Sequence, residues 1–290
     1  MRLEYTKADG YTIKQDVSNH WEYAKLFPSL SVEQEINENN KVDFSVSRRI
    51  NRPSYSQLNP VHWYTDQYFY YAGNPNLVPE IAWIISTAFT LQHKYIFTVT
   101  YSFSNDYINR KLSMDGIAVR SQAYNLGDLH RLDMMAALPL QVLPFWEIQL
   151  TPDISYMSYP ISQLAGETIL SKWSATLSVR QQFKLPSGIK MDISTEYYSA
   201  GLRGVYATKG GFYTDAGFKK SFLTNKLDVQ LTLSDIFNTT RYQGRSKSSI
   251  TDYYDDEKSD SRRMGMTLHY HFGSDLIKGN NKTTEEEDRL

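Results

Sequence analysis

The sequence predicts an all-β protein, an antiparallel up-and-down transmembrane β-barrel of about twelve strands, and three observations predict it. Apolar and polar residues alternate with period two along most of the chain, with almost no sustained 3.6-residue period. Tight links and long polar or aromatic links follow one another in turn between these segments. Aromatics make up 14% of 290 residues, 22 of them tyrosine, a residue suited to surfaces half apolar and half wet.

Leu3 and Tyr5 open the first strand, and the next apolar face carries Leu26, Pro28, Leu30, Val32 and Ile36. Val42, Phe44 and Val46 follow, then Ile81, Trp83, Ile85, Phe89 and Leu91. The stretch YIFTVTYSFSN sets Tyr95, Phe97, Val99, Tyr101 and Phe103 against Thr98, Thr100, Ser102 and Ser104, with Ile96 as an exception beside a turn. Alternate positions from Leu132 to Val142, Trp146 to Tyr156 and Trp173 to Leu185 give three more apolar faces. The last four run from Ile189 to Tyr197, Phe212 to Phe222, Leu227 to Leu233 and Met264 to Phe272. The opposite parity is hydrophilic, as in Glu147, Gln149, Thr151, Asp153 and Ser155. Many of these strands reach the roughly 9 to 11 residues that a tilted membrane strand needs.

Alternation by itself is reversible, because a soluble sandwich turns its apolar face inward and a membrane barrel turns it outward. Connection lengths favour the barrel. Short links at 37–40, 92–94, 143–145, 185–190 and 223–226 alternate with long ones at about 7–24, 50–80, 106–120, 158–168, 200–210 and 236–262. Gln181 and Lys220 are the few polar intrusions on the apolar parity, and Trp83, Trp146, Trp173, Tyr270 and Phe272 stand where interfacial girdles sit. A sandwich core would also exclude charge and bury aromatics, so a soluble β-sandwich-like binding or structural protein stays open at this point.

Other classes are less favoured. Lys and Arg number 31 against 32 Asp and Glu, which gives no case for nucleic acid as a partner. No apolar run approaches the roughly 20 residues of a membrane-spanning helix. Cysteine is absent, excluding disulfides, thiolate metal sites and cysteine nucleophiles. The start, MRLEYTKADGYT, has no charged leader followed by an apolar segment, so an exported protein is expected to have a longer precursor.

Motifs for chemistry are weak throughout. His269 and His271 share one face of the last strand without a convincing carboxylate partner, and DYYDDEKSDSRR lacks the glycine and spacing of a calcium loop. Glu147 and Asp153 share a face with many other polar residues, and there is no nucleophile motif or phosphate loop. The expectation is a non-enzyme with no cofactor and no metal. The candidate ligand site is the loop NPVHWYTDQYFYYAGNPN, which gathers His62, Trp63, Tyr64, Tyr68, Phe69, Tyr70 and Tyr71 in a polar connection.

Three motifs carry a family resemblance across essentially the whole chain. SRRINRPSYSQLNP with GNPNLVPE, LTLSDIFNTTRY, and MGMTLHYHFG with its charged tail resemble, in order and spacing, the TonB-dependent outer-membrane receptors of the outer-membrane β-barrel family. The resemblance implies a barrel of about 22 strands, of which this chain supplies the C-terminal half, residues 1–273, with a polar tail over 274–290 expected to be disordered. It implies a cell outer membrane location, long loops outside and the tail in the periplasm. The implied role is uptake of a bulky nutrient. The implied partners are outer-membrane lipid, the barrel assembly machinery, an N-terminal barrel half, a plug domain and, through that plug, an energy-coupling protein. An inactive barrel fragment and an independent twelve-strand barrel are the remaining alternatives.

Overall fold

The structure is a computed structural model and describes residues 1–12, 17–163, 166–247 and 252–272. The expected tail at 274–290 lies outside the described residues. The first strands are β1 (Arg2–Thr12), β2 (Val17–Phe27), β3 (Ser29–Asn37) and β4 (Asn40–Asn51), followed by a one-turn helix α1 (Tyr55–Leu58). Next come β5 (Trp63–Tyr64), β6 (Phe69–Ala72), β7 (Glu80–Leu91), β8 (Tyr95–Asn105), β9 (Ile108–Asp115) and β10 (Ala118–Asn125). The long strands β11 (Leu129–Leu143), β12 (Trp146–Gln163) and β13 (Gly166–Lys184) lead to β14 (Lys190–Tyr198), β15 (Gly201–Arg203) and β16 (Tyr206–Thr208). The chain continues with β17 (Gly211–Phe222), β18 (Leu227–Ser234), β19 (Tyr242–Lys247), β20 (Asp252–Glu257) and β21 (Arg263–Tyr270).

Eleven of these form a single sheet in the order β21-β18-β17-β14-β13-β12-β11-β8-β7-β4-β3, and each is antiparallel to its neighbours. The hairpin β1-β2 stands beyond β3 as a separate pair and supplies the twelfth long strand. The apolar run Leu26 to Ile36 is broken at Pro28, which has no backbone N–H for a ladder. Its carbonyl still accepts from the Arg48 amide at 3.0 Å.

Cross-strand register places like residues in rows. One row reads Val32, Phe44, Thr87, Val99, Met134, Ile154 and Ala175; the next reads Leu30, Val46, Ile85, Tyr101, Leu132, Tyr156 and Trp173. Between them runs a polar row of Ser31, Ser45, Ser86, Thr100, Asp133, Ser155 and Ser174. Ser86 and Thr100 share a hydrogen bond along it at 2.9 Å. The sheet therefore has one continuous apolar face and one continuous polar face.

Burial assigns the solvent of each face. On β8 the apolar residues Phe97, Val99 and Tyr101 are 42, 48 and 38% exposed, whereas Ser104 on the other face is 4% exposed. Curling a sheet crowds side chains on its concave face and splays those on its convex face, so this asymmetry marks a barrel wall with its polar side inward. No second sheet covers the apolar face among the described residues, which removes the sandwich. Trp83 and Trp173 lie toward the long-loop rim. Trp146 stacks on Phe183 near the other rim, with ring centroids 5.6 Å apart, and Tyr270 packs against Phe272 there at 4.8 Å. On β12 the girdle residues Trp146 and Tyr156 are about ten residues apart, close to one tilted crossing of the hydrocarbon band. Lys220, the predicted intrusion, lies near the short-turn end with its ammonium 5.2 Å from the Phe222 ring, where it reaches the interface.

The rims differ as connection lengths predict, with one correction. The predicted long links are largely strand. β1 and β2 run to Thr12 and from Val17, β12 and β13 pair up to Gln163 opposite Gly166, and 106–120 falls within the β9-β10 hairpin. These segments stand beyond the lipid band, where unpaired backbone polar groups are costly once buried against neighbours, so they pair instead. Two small sheets result, β5-β6-β10-β9 and β15-β16-β19-β20. Most buried residues sit in this layer and at the strand ends beneath it, including Leu77 at 0%, Tyr159 at 1% and Tyr70 at 2% exposure.

Candidate functional site in the loop layer

The recognisable sequence motifs are the fasteners of this layer. Ser54 caps α1 in a reciprocal box with Gln57. Gly73 lies so close to the turn after α1 that a Cβ would stand 2.1 Å from the Asn59 carbonyl oxygen, leaving glycine as the residue that fits. Asn74 donates to the Ala123 carbonyl at 3.0 Å, Gln122 to the Gly73 carbonyl at 2.7 Å and Asn125 to the Val78 carbonyl at 3.0 Å. These bonds tie GNPNLVPE to β10, and β6 pairs with β10 in parallel from Phe69 to Ala72.

At the far end of the sheet Asp235, 2% exposed and at φ 45°, does the same for the last long loop. Its carboxylate accepts from the Thr239 amide at 2.8 Å, the Thr240 amide at 3.0 Å and the Ser261 hydroxyl at 2.5 Å. Burial pushes its pKa up, but these donors together outweigh it and hold the carboxyl well below the usual range. Its own amide donates to Asp215 at 2.7 Å.

The seven candidate residues are placed on the β5-β6 hairpin and its approach, and they divide by strand parity. Tyr70 is buried, donating to Asp115 at 2.5 Å, with His62 and Tyr64 packed over it at centroid distances of 4.6 and 5.2 Å. Burial first, then the Asp115 hydrogen bond, pushes the Tyr70 phenol up to about 12. On the opposite side Phe69 and Tyr71 meet edge to face at 5.1 Å, and the Arg110 guanidinium lies 5.0 Å from the Tyr71 ring. Trp63, Tyr64 and Tyr68 are exposed, Trp63 at 65%. The structure thus leaves six of the seven accessible or half-accessible but splits them between the two faces of the hairpin, with Tyr70 as the floor beneath His62 and Tyr64 and with Trp63, Phe69 and Tyr71 on the other face.

Sequence reasoning missed the residues that other loops contribute. Tyr253 reaches Phe69 at 5.8 Å and Tyr206 at 6.2 Å, linking the two small sheets. A cavity of about 520 Å³ opens between Pro60, His62, Asn74, Arg120, Gln122 and Tyr124. Nothing local signals these contacts, which join segments far apart in the chain.

Two carboxylates of the acidic run that invited a calcium reading, Asp252 and Asp256, are paired with arginines instead. Arg245 lies against Asp252 and holds its carboxyl below the usual range, and Arg241 grips Asp256 through two bonds of 2.6 Å. His269 and His271 pack at 4.4 Å, and His271 has a carboxylate partner that the sequence did not show, Asp228 at 3.7 Å, which also accepts from Ser221 at 2.6 Å and pairs with Lys219 at 2.9 Å. Among the described residues no three His, Cys, Asp or Glu side chains are grouped to hold a metal ion.

A wall of antiparallel strands with an apolar outer face, a polar inner face, short turns on one rim and an ordered loop layer on the other defines an outer-membrane β-barrel. The family model described as outer membrane protein beta-barrel family matches residues 1–270, and the chain belongs to that family. No curated protein matches. Among solved structures, the chain is similar to the siderophore receptor PirA of Pseudomonas aeruginosa, at 16% identity and TM-score 0.54 over 87% of this chain and 44% of that one. It is also similar to a mutant of the ferric enterobactin receptor PfeA from the same organism, at 14% identity and TM-score 0.56, covering 87% of this chain and 41% of the receptor. The FrpB iron transporter of Neisseria meningitidis matches at 14% identity and TM-score 0.57, over 92% and 42%. At these identities the likeness is one of fold. The chain spans less than half the length of each receptor.

Proposed function

We propose that the chain is the C-terminal part of the barrel of a TonB-dependent receptor that takes up a bulky nutrient across the outer membrane. The loop layer faces outward and the short turns face the periplasm, with residues 274–290 forming a polar periplasmic tail. The observation that carries the ligand reading is the exposed aromatic hairpin and its turn, with His62 and Tyr64 on one face, Trp63, Phe69 and Tyr71 on the other and Tyr68 between the strands. These rings sit on a hairpin that backbone pairing and the buried Tyr70 hold rigid. Exposed aromatics fixed in place bind planar or ring-shaped ligands at little entropic cost, and stacking suits chelates, sugars and peptides alike. The continuous polar inner face supplies a hydrated wall along which cargo and a plug from another segment would fit. Energy coupling belongs to that plug rather than to these strands.

The test is titration of the protein in detergent micelles with ferric enterobactin, a maltooligosaccharide and a short peptide in turn, read by quenching of Trp63 fluorescence against a Trp63→Phe control. Saturable quenching by one of the three, lost in Tyr64→Ala with Tyr71→Ala, is the expected result. Equal fluorescence responses with and without Trp63 for all three would remove the loop site.

A further inference from the structure

Three lysines share one cross-strand row on the polar inner face, near the short-turn rim. Lys184 stands opposite Lys190 and Lys190 opposite Lys219, and the row continues through Gln230 to Thr267 on β21. Like charges directly opposite one another repel across a sheet, so each calls for an anion beside it. The outer two have one. Lys184 pairs with Glu147 at 2.8 Å and Lys219 with Asp228 at 2.9 Å, each turning away from β14 toward the strand on its far side. Lys190, between them, is exposed and has no carboxylate partner among the described residues.

The same chain carries a run of acid that starts out from this corner of the wall. Beyond the end of β21 at Tyr270, the His271 amide donates to the Lys226 carbonyl at 2.8 Å, which sets the chain beside the turn between β17 and β18. Four successive carboxylates, Glu285, Glu286, Glu287 and Asp288, follow in the sequence. Gly279, Asn280 and Asn281 before them are residue types that reverse chain direction. Three strand spacings, about 15 Å, separate β21 from β14. A flexible chain of the fifteen residues from Tyr270 to Glu285 spans about 21 Å. The acidic run therefore meets the lysine row at an effective concentration on the order of millimolar, at which several individually weak surface ion pairs hold together.

We propose that the acidic run 285–288 docks on the lysine row of the inner wall, with Lys190 as its central contact. The docked segment neutralises the repulsion among Lys184, Lys190 and Lys219 and lies across the inner face at the short-turn rim. The inference rests on the register and faces of the barrel wall and is independent of what the loops bind.

Carbodiimide coupling of the full chain in uncharged detergent micelles tests it, because the reagent joins an ammonium to a carboxylate only where the two touch. Peptide mass spectrometry then locates the links. Lys226 is the comparator, since it is exposed, lies off the row and is nearer to β21 than Lys190 is. At low salt, links from 285–288 to Lys190 should outnumber those to Lys226 roughly threefold. In about 1 M sodium chloride, where charges are screened beyond about 3 Å, the excess should vanish. Cleavage after Glu285, Glu286 and Glu287 by a glutamate-specific protease should accelerate roughly fivefold in Lys190→Gln and stay unchanged in Lys94→Gln. Links as frequent to Lys226 as to Lys190, an excess that survives high salt, or equal cleavage of the two variants would overturn the proposal. So would a mixture of heavy- and light-isotope chains whose links join mainly different copies.

Discussion

Asp235 and Tyr70 show how single buried polar groups hold the loop layer in place. Removing one partner from a buried network leaves the remaining groups unsatisfied, which costs more than the bond itself contributes. Asp235→Ala should leave the barrel wall intact and release the segment between β18 and β21. Trypsin cleavage at Arg241, Arg245 and Lys258 should then accelerate by roughly tenfold or more, because proteolysis tracks the population of the open loop. Tyr70 makes a pH prediction. Its folded pKa, about 12, lies above the ordinary phenol value of about 10, so its contribution is complete below pH of about 10 and is lost as pH rises through about 12. Spectrophotometric titration should find a late group of buried phenols, Tyr70, Tyr159 and Tyr206 among them, ionising after the exposed tyrosines, and Tyr70→Phe should reduce the amplitude of that late group by one phenol. The same substitution should lower the stability of the hairpin by about 1 kcal/mol.

Strands carry the contrast between lipid and water. Val99 and Thr100 are neighbours in β8 yet belong to different rows, one between Thr87 and Met134 and the other between Ser86 and Asp133. An arginine at the lipid-facing position costs about 2 to 4 kcal/mol near the bilayer midplane. Val99→Arg should therefore sharply reduce the folded, protease-resistant fraction in vesicles, while Thr100→Arg should retain most of it. Equal loss at both positions would reverse the assignment of faces. Strand identity was readable because the period-two pattern is local, although the face read as one run from Leu26 to Ile36 is split at Pro28. Within the long links β10, β19 and β20 lack a clean alternation of polarity, and β6 pairs with β10 in parallel, a contact between distant segments that no hairpin pattern announces. For the same reason Tyr206 and Tyr253 went unpredicted, while the seven residues adjacent in sequence were visible as a cluster.

On the scale of the whole molecule, hydrophobic burial takes place in two different solvents. The packed protein core lies in the loop layer, around Tyr159, Leu126 and Leu129, whereas the strands present their apolar residues outward for lipid to cover. Extraction of the chain from a membrane fraction should accordingly require detergent. Sedimentation of the purified protein after detergent removal should show aggregation, and a monodisperse detergent-free monomer would contradict the exposed apolar wall.

Alternation, turn spacing and the three family motifs were enough to determine an antiparallel barrel segment, its strand faces and the neighbourhood of its aromatic loop. They were enough because side-chain parity and turn chemistry are set within a few residues of each position. The tertiary structure bore out the apolar face as the uncovered one, and it alone decided that the motif residues Gly73, Asn74 and Asp235 fasten the loops and that Tyr70 is buried beneath His62 and Tyr64. Those outcomes depend on which distant strands become neighbours, and period two is indifferent to that choice.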